Sequence, residues 1–91
     1  MRTIATVTIA TALLATAATA HAGSLGRPCT ATQQSQWLSI DDLQAKIEAQ
    51  GYTVRNAKLK NACGEFYTRD KNDQQVELFV DPTNGKIVGQ R

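Results

Sequence analysis

Two cysteines, Cys29 and Cys63, and eight carboxylates are the residues of this 91-residue chain whose chemistry could build a site. The single histidine, His21, falls in a leading segment that is set aside below. From Gly23 onward no imidazole is present to activate a serine or cysteine nucleophile, or to ligate a metal. The cysteines lack the Cys-x-x-Cys spacing that lowers one thiol's pKa for redox work. In an oxidising compartment an even pair reads as one internal disulfide, Cys29–Cys63, against the alternatives of two free thiols or an intermolecular bridge. With both thiols oxidised, no metal or other cofactor site is expected of this chain alone. The bridge would close a loop of more than a third of the chain. Such a closure is worth roughly 3.5–4 kcal/mol through lost unfolded-chain entropy.

The carboxylates offer little better. Asp41 and Asp42 are adjacent at a helix start, where capping and the helix dipole account for both. Glu65 and Glu77 fall on neighbouring strand segments and read as cross-strand partners of Arg69 or Lys58. Asp70-Lys71-Asn72-Asp73 resembles the opening of a calcium loop but lacks the glycine and the closing glutamate. The chain is therefore not read as an enzyme.

The leading segment has the layout of a cleaved secretory signal peptide. Arg2 is a minimal positive region, Ile4 to Thr19 is uncharged, and Ala20-His21-Ala22 sets small residues before a cut at Gly23. The uncharged run is short and rich in Thr and Ala, unlike a membrane anchor, and no cysteine follows the cut to carry a lipid. The expectation is a soluble periplasmic protein, with no stable membrane insertion once residues 1–22 are removed. Ten Lys and Arg against eight Asp and Glu leave a formal charge of +2, too balanced for a nucleic-acid footprint. A domain this small buries only about 60% of its unfolded surface, so a staple such as the disulfide is needed.

The elements that must position these residues begin with a helix. Ser39 is an N-cap with Asp42 three residues on, and Leu38 and Leu43 have the spacing of a hydrophobic staple. Ile40, Leu43 and Ile47 form one apolar stripe, and Gly51 supplies the left-handed residue that stops the helix. Residues 23–36 read as an irregular leader tied down at Cys29, with Trp37-Leu38 packing under the helix start. After the helix, residues 52–60 form a strand whose alternation slips between Val54 and Ala57, so a bulge near Arg55–Asn56 is expected. Residues 65–70 and 75–81 are two further strands, separated by polar turns, and residues 86–88 add a short last strand or edge. The fold class is α+β: one N-terminal helix packed on a three- to four-stranded antiparallel β-meander, stapled by one disulfide.

At this level the residues resemble a known family. Gly51-Tyr52-Thr53-Val54, Lys58-Leu59-Lys60, Cys63-Gly64-Glu65-Phe66-Tyr67 and the run from Val76 through Asp81-Pro82-Thr83-Asn84-Gly85 to Val88 resemble the PepSY domain. More narrowly, they resemble its small stand-alone exported members in Gram-negative bacteria. The resemblance covers about residues 29–88, within a PepSY-like domain at 37–91. It departs at Gly64, where the family often has an aromatic, and at Asp73, where a hairpin glycine is common. Those departures predict thinner packing on one sheet face and a different turn type. The resemblance implies a helix on an antiparallel sheet, and a non-catalytic binding or regulatory role. Relatives in peptidase propeptides look inhibitory or chaperone-like, which implies a periplasmic or envelope protein as partner, a secreted or envelope peptidase being one candidate. Relatives in membrane proteins associated with reductases imply the alternative, an accessory subunit of an envelope redox system.

Strand parity locates the surface on which a partner would act. If the helix covers the side of Phe66 and Leu78, then Glu65, Tyr67 and Phe79 lie on the opposite face with Arg69 and Glu77 around them. An apolar patch rimmed by charge is a candidate protein-binding surface, with an edge strand as the other route by which a partner would be engaged. The alternative is that register or a bulge turns these aromatics inward.

Overall fold

The computed structural model describes residues 25–91; the expected signal peptide and its cut before Gly23 lie outside the described residues. Helix α1 spans Ile40–Glu48. The Ser39 hydroxyl accepts the Asp42 N–H at 3.1 Å, satisfying one of the donors a helix start leaves open. Leu43 and Ile47 are fully buried, and Gly51 leaves the helix with φ +102°. The expected cap, stripe and stop are all present.

Four antiparallel strands follow in spatial order: β1 (Thr53–Lys60), β2 (Cys63–Arg69), β3 (Gln75–Val80) and β4 (Ile87–Gln90). The β1–β2 register shifts between Val54 and Asn56, where the broken alternation placed a bulge. The shift returns Val54, opposite Thr68, and Ala57, opposite Phe66, to one face. That face receives α1. Leu43, Ile47, Phe66, Leu78 and Val80 form the core, with Leu38, Ile40, Tyr52, Val54, Ala57, Val76 and Ile87 around them. Leu38, rather than Trp37, joins this core; the half-buried Trp37 donates its indole N–H to the Thr32 carbonyl at 2.9 Å.

Gly64 sits on the helix-facing side, fully enclosed. A Cβ there would lie 2.9 Å from the Phe66 ring and 3.6 Å from both Leu43 and Val80. The space of the expected aromatic is thus already filled, and the packing is not thinned. Asp73 also departs from expectation. It adopts φ +62°, the conformation a glycine would supply, in a three-residue hairpin loop closed from Asp73 N–H to the Asp70 carbonyl at 2.9 Å. The β1–β2 connection is tighter than the sequence implied. Asn61 and Ala62 both take positive φ, so two residues turn the chain and β2 begins at Cys63.

The Asp81–Gly85 turn anchors the helix to the sheet. The Asp81 carboxylate accepts from the Thr83 N–H at 2.9 Å and its hydroxyl at 2.6 Å, while the buried Pro82 offers its carbonyl to the Leu38 N–H at 2.8 Å. Gly85, at φ +81°, lies against the aliphatic stem of Lys46 in the last turn of α1.

Candidate functional site

The side of the sheet away from α1 is built of rows of residues that run across the strands. One row reads Lys58, Glu65, Phe79, Gly89 from β1 to β4. The next begins Asn56, Tyr67, Glu77 and ends at Arg91, whose backbone exchanges two 3.0 Å hydrogen bonds with Glu77. A third holds Thr53, Arg69 and Gln75. Glu65, Tyr67, Arg69, Glu77 and Phe79 therefore lie together on the back face, as their strand parity predicts.

That face is not open as expected. Phe79 and Glu65 are each 1% exposed and Glu77 9%; Tyr67 is half-buried. The cover is the leader. Cys29 is bonded to Cys63 across a separation of 34 residues, and Cys63 shares the parity of Glu65 and Tyr67. Four residues earlier, Leu25 packs where a Cβ on Gly89 would be, beside Phe79. Residues 25–29 thus run from β4 to the start of β2, over the row that holds Phe79 and Glu65. The signal for this was in the sequence: a cysteine of back-face parity must bring its partner segment to the back face.

Arg69 is also committed elsewhere. Its guanidinium donates to the Asp73 carbonyl at 2.8 Å and lies 3.8 Å from the Asp73 carboxylate, bracing the β2–β3 turn. It frames a shallow depression of about 190 Å³ with Arg55, Tyr67, Thr68 and Gln75.

Burial governs the electrostatics of this face. It pushes the Glu65 carboxyl above the usual carboxylate value, opposed by the charges of Lys58 and Lys60 and assisted by that of Glu77. The Tyr67 hydroxyl is pushed up by burial and by the neighbouring Glu77 and Glu65 carboxylates. Lys58 Nζ stands 5.7 Å from the centre of the Tyr67 ring, within cation–π range. Glu65 Oε1 and Glu77 Oε2 have no hydrogen-bond partner among the described residues. Glu65 is closed off from solvent, while Glu77 borders a shallow depression with Tyr67, Gln75, Val76 and Arg91. Among the described residues no three His, Cys, Asp or Glu side chains are placed to hold a metal ion.

The strand order identifies which strand is the edge and which residues line it, which the sequence left open. β1 has β2 on one side and, among the described residues, no strand on the other. Arg55, Lys58 and Lys60 are exposed along it, and Leu59, at 38%, is the exposed large hydrophobic residue of the described chain.

Comparison with known proteins gives one family. A family profile described as "Peptidase propeptide and YPEB domain" matches residues 4–91. No curated protein and no solved structure matched the chain. The matched span takes in α1, all four strands and the leader over the back face. The chain belongs to the PepSY family of peptidase propeptide and YPEB domains.

Proposed function

We propose that the protein is a non-catalytic regulatory module of the peptidase-propeptide kind, exported to the periplasm, that acts by binding an envelope or secreted peptidase. The observation that carries this reading is the family match over residues 4–91. The geometry supports it in kind: Glu65 is sealed on the back face, whereas a stapled sheet offers one long exposed edge to a protein. The test is affinity capture from envelope extracts with the intact chain, followed by a casein hydrolysis assay on what is captured. The expected result is a peptidase whose rate changes when the chain is added. Capture of a cytochrome or reductase, with peptidase rates unchanged, would overturn the reading in favour of a redox accessory.

A further inference from the structure

The geometry points to β1 as a docking edge for an extended segment of the partner in which acidic and apolar residues alternate. This rests on the proposal that the protein binds a peptidase, and adds the chemistry of what it grips. An edge strand presents backbone N–H and C=O groups that can accept one more strand, with side-chain specificity set at alternate positions; on β1 the Ala57 N–H is held by Asn56 Oδ1 at 3.0 Å, a bond an incoming strand would replace. β1 is the longest strand of the sheet, at 8 residues, and lies at its edge.

The two faces of β1 ask for different neighbours. On the back face Lys58 and Lys60 stand on alternate positions, opposite Glu65 and Cys63 of β2. Arg55 adds a third cation at the bulge, and the strand holds no acid. On the helix face the alternate positions are Ala57 and Leu59. Leu59 is 38% exposed, an apolar side chain left without a full set of neighbours. A strand laid beside β1 would therefore set carboxylates opposite Lys58 and Lys60, and small or branched apolar residues opposite Ala57 and Leu59. Opposite charges facing across a pair of strands stabilise, and like charges destabilise.

The same charges decide against a second copy of this chain as the occupant. Two β1 strands side by side would oppose lysines with lysines, the standard way in which natural edges are protected from self-association. The bulge between Val54 and Asn56 limits the regular pairing length to residues 56–60. The fitting segment is accordingly about five residues long, with three acids or two flanking two apolar positions.

The probe is an acetylated, amidated peptide of alternating glutamate and valine, added to the full chain with β1 amide shifts and exchange followed by NMR. The controls are a lysine–valine peptide and a glutamate–serine peptide. Binding of the glutamate–valine peptide should slow exchange of β1 amides and weaken severalfold as salt rises from about 50 to 300 mM. The double variant Lys58→Glu/Lys60→Glu, both exposed, should lose at least tenfold in affinity and gain it for the lysine–valine peptide. Leu59→Ser should weaken the parent peptide without altering its salt dependence. Absence of binding, shifts confined to the back face, or affinity unchanged by charge reversal would overturn the inference. A peptide that binds while no peptidase is captured would sink the functional reading alone. Equal capture of a peptidase by wild type and the charge-reversed variant would sink the edge alone.

Discussion

Leu25 fills the place that a side chain on Gly89 would occupy: a Cβ there would fall 2.6 Å from Leu25 Cδ1. The missing side chain on β4 is what lets the leader lie flat on the back face. Gly89→Ala should therefore lift the leader while leaving the helix-side core intact. The expected cost is about 1 kcal/mol, since the crowded atom is the end of a flexible side chain. Hydrogen exchange should quicken at residues 25–28 and at Phe79, with β2 core amides still protected. Unchanged exchange at those positions would show that the leader is held by the bridge alone.

The burial of Glu65 sets a pH dependence. Its folded pKa lies above the ordinary value near 4.5, so the native state keeps a proton that the unfolded chain has released. Stability contributed by this group is thus highest at low pH. It falls as pH rises from the unfolded value through the folded one, then levels. Glu65→Gln removes that slope. Urea midpoints measured from about pH 3.5 to 8 should show the variant gaining on wild type through that window; parallel curves would contradict it.

Ala62 pays a backbone cost in the β1–β2 turn, at φ +60°. Left-handed backbone disfavours any residue with a Cβ, so Ala62→Gly should stabilise the protein by about 0.5–1 kcal/mol. Asp73→Gly relieves similar strain at φ +62°. It also removes an exposed ion pair with Arg69, but leaves the Arg69 hydrogen bond to its carbonyl. Both changes should raise the urea midpoint.

Gly64 is the opposite case. Its φ is ordinary and its surroundings are full, with Phe66, Leu43 and Val80 at the distances given above. Gly64→Ala should destabilise by about 1–3 kcal/mol, read as a lower midpoint at unchanged slope.

The Cys29–Cys63 bridge ties residues 34 apart in sequence. Cys29→Ser with Cys63→Ser should cost roughly 3–4 kcal/mol if the loss is one of unfolded-chain entropy. Non-reducing mass spectrometry of the wild type should give a chain two hydrogens lighter than the dithiol.

These outcomes separate what the sequence could convey from what it could not. The helix was legible because Ser39, Asp42, Leu43, Ile47 and Gly51 each carry a local signal with one reading. The bulge was legible because a period-two pattern cannot change parity without one. Ala62 hid the tight turn, since alanine gives no hint of positive φ. Arg69 looked available to a partner because its attachment to Asp73 depends on how the hairpin loop curls. Phe79 looked exposed because the leader lacks any periodicity, and only the parity of Cys63 betrayed its route. The edge cations were visible as residues but not as an edge, because strand order is a property of the assembled sheet.

The path of the leader also gives the domain a direction. Leu25 rests on β4, at one edge of the sheet, while the edge of β1 lies three strands away on the other. An attachment made at residue 25 would thus start on the side opposite β1. A stalk, tag or second domain joined there would hold the sheet with its basic rim pointing outward. For immobilisation this favours the N-terminal side: a surface joined there leaves β1 clear, and one joined through Lys58 or Lys60 covers it.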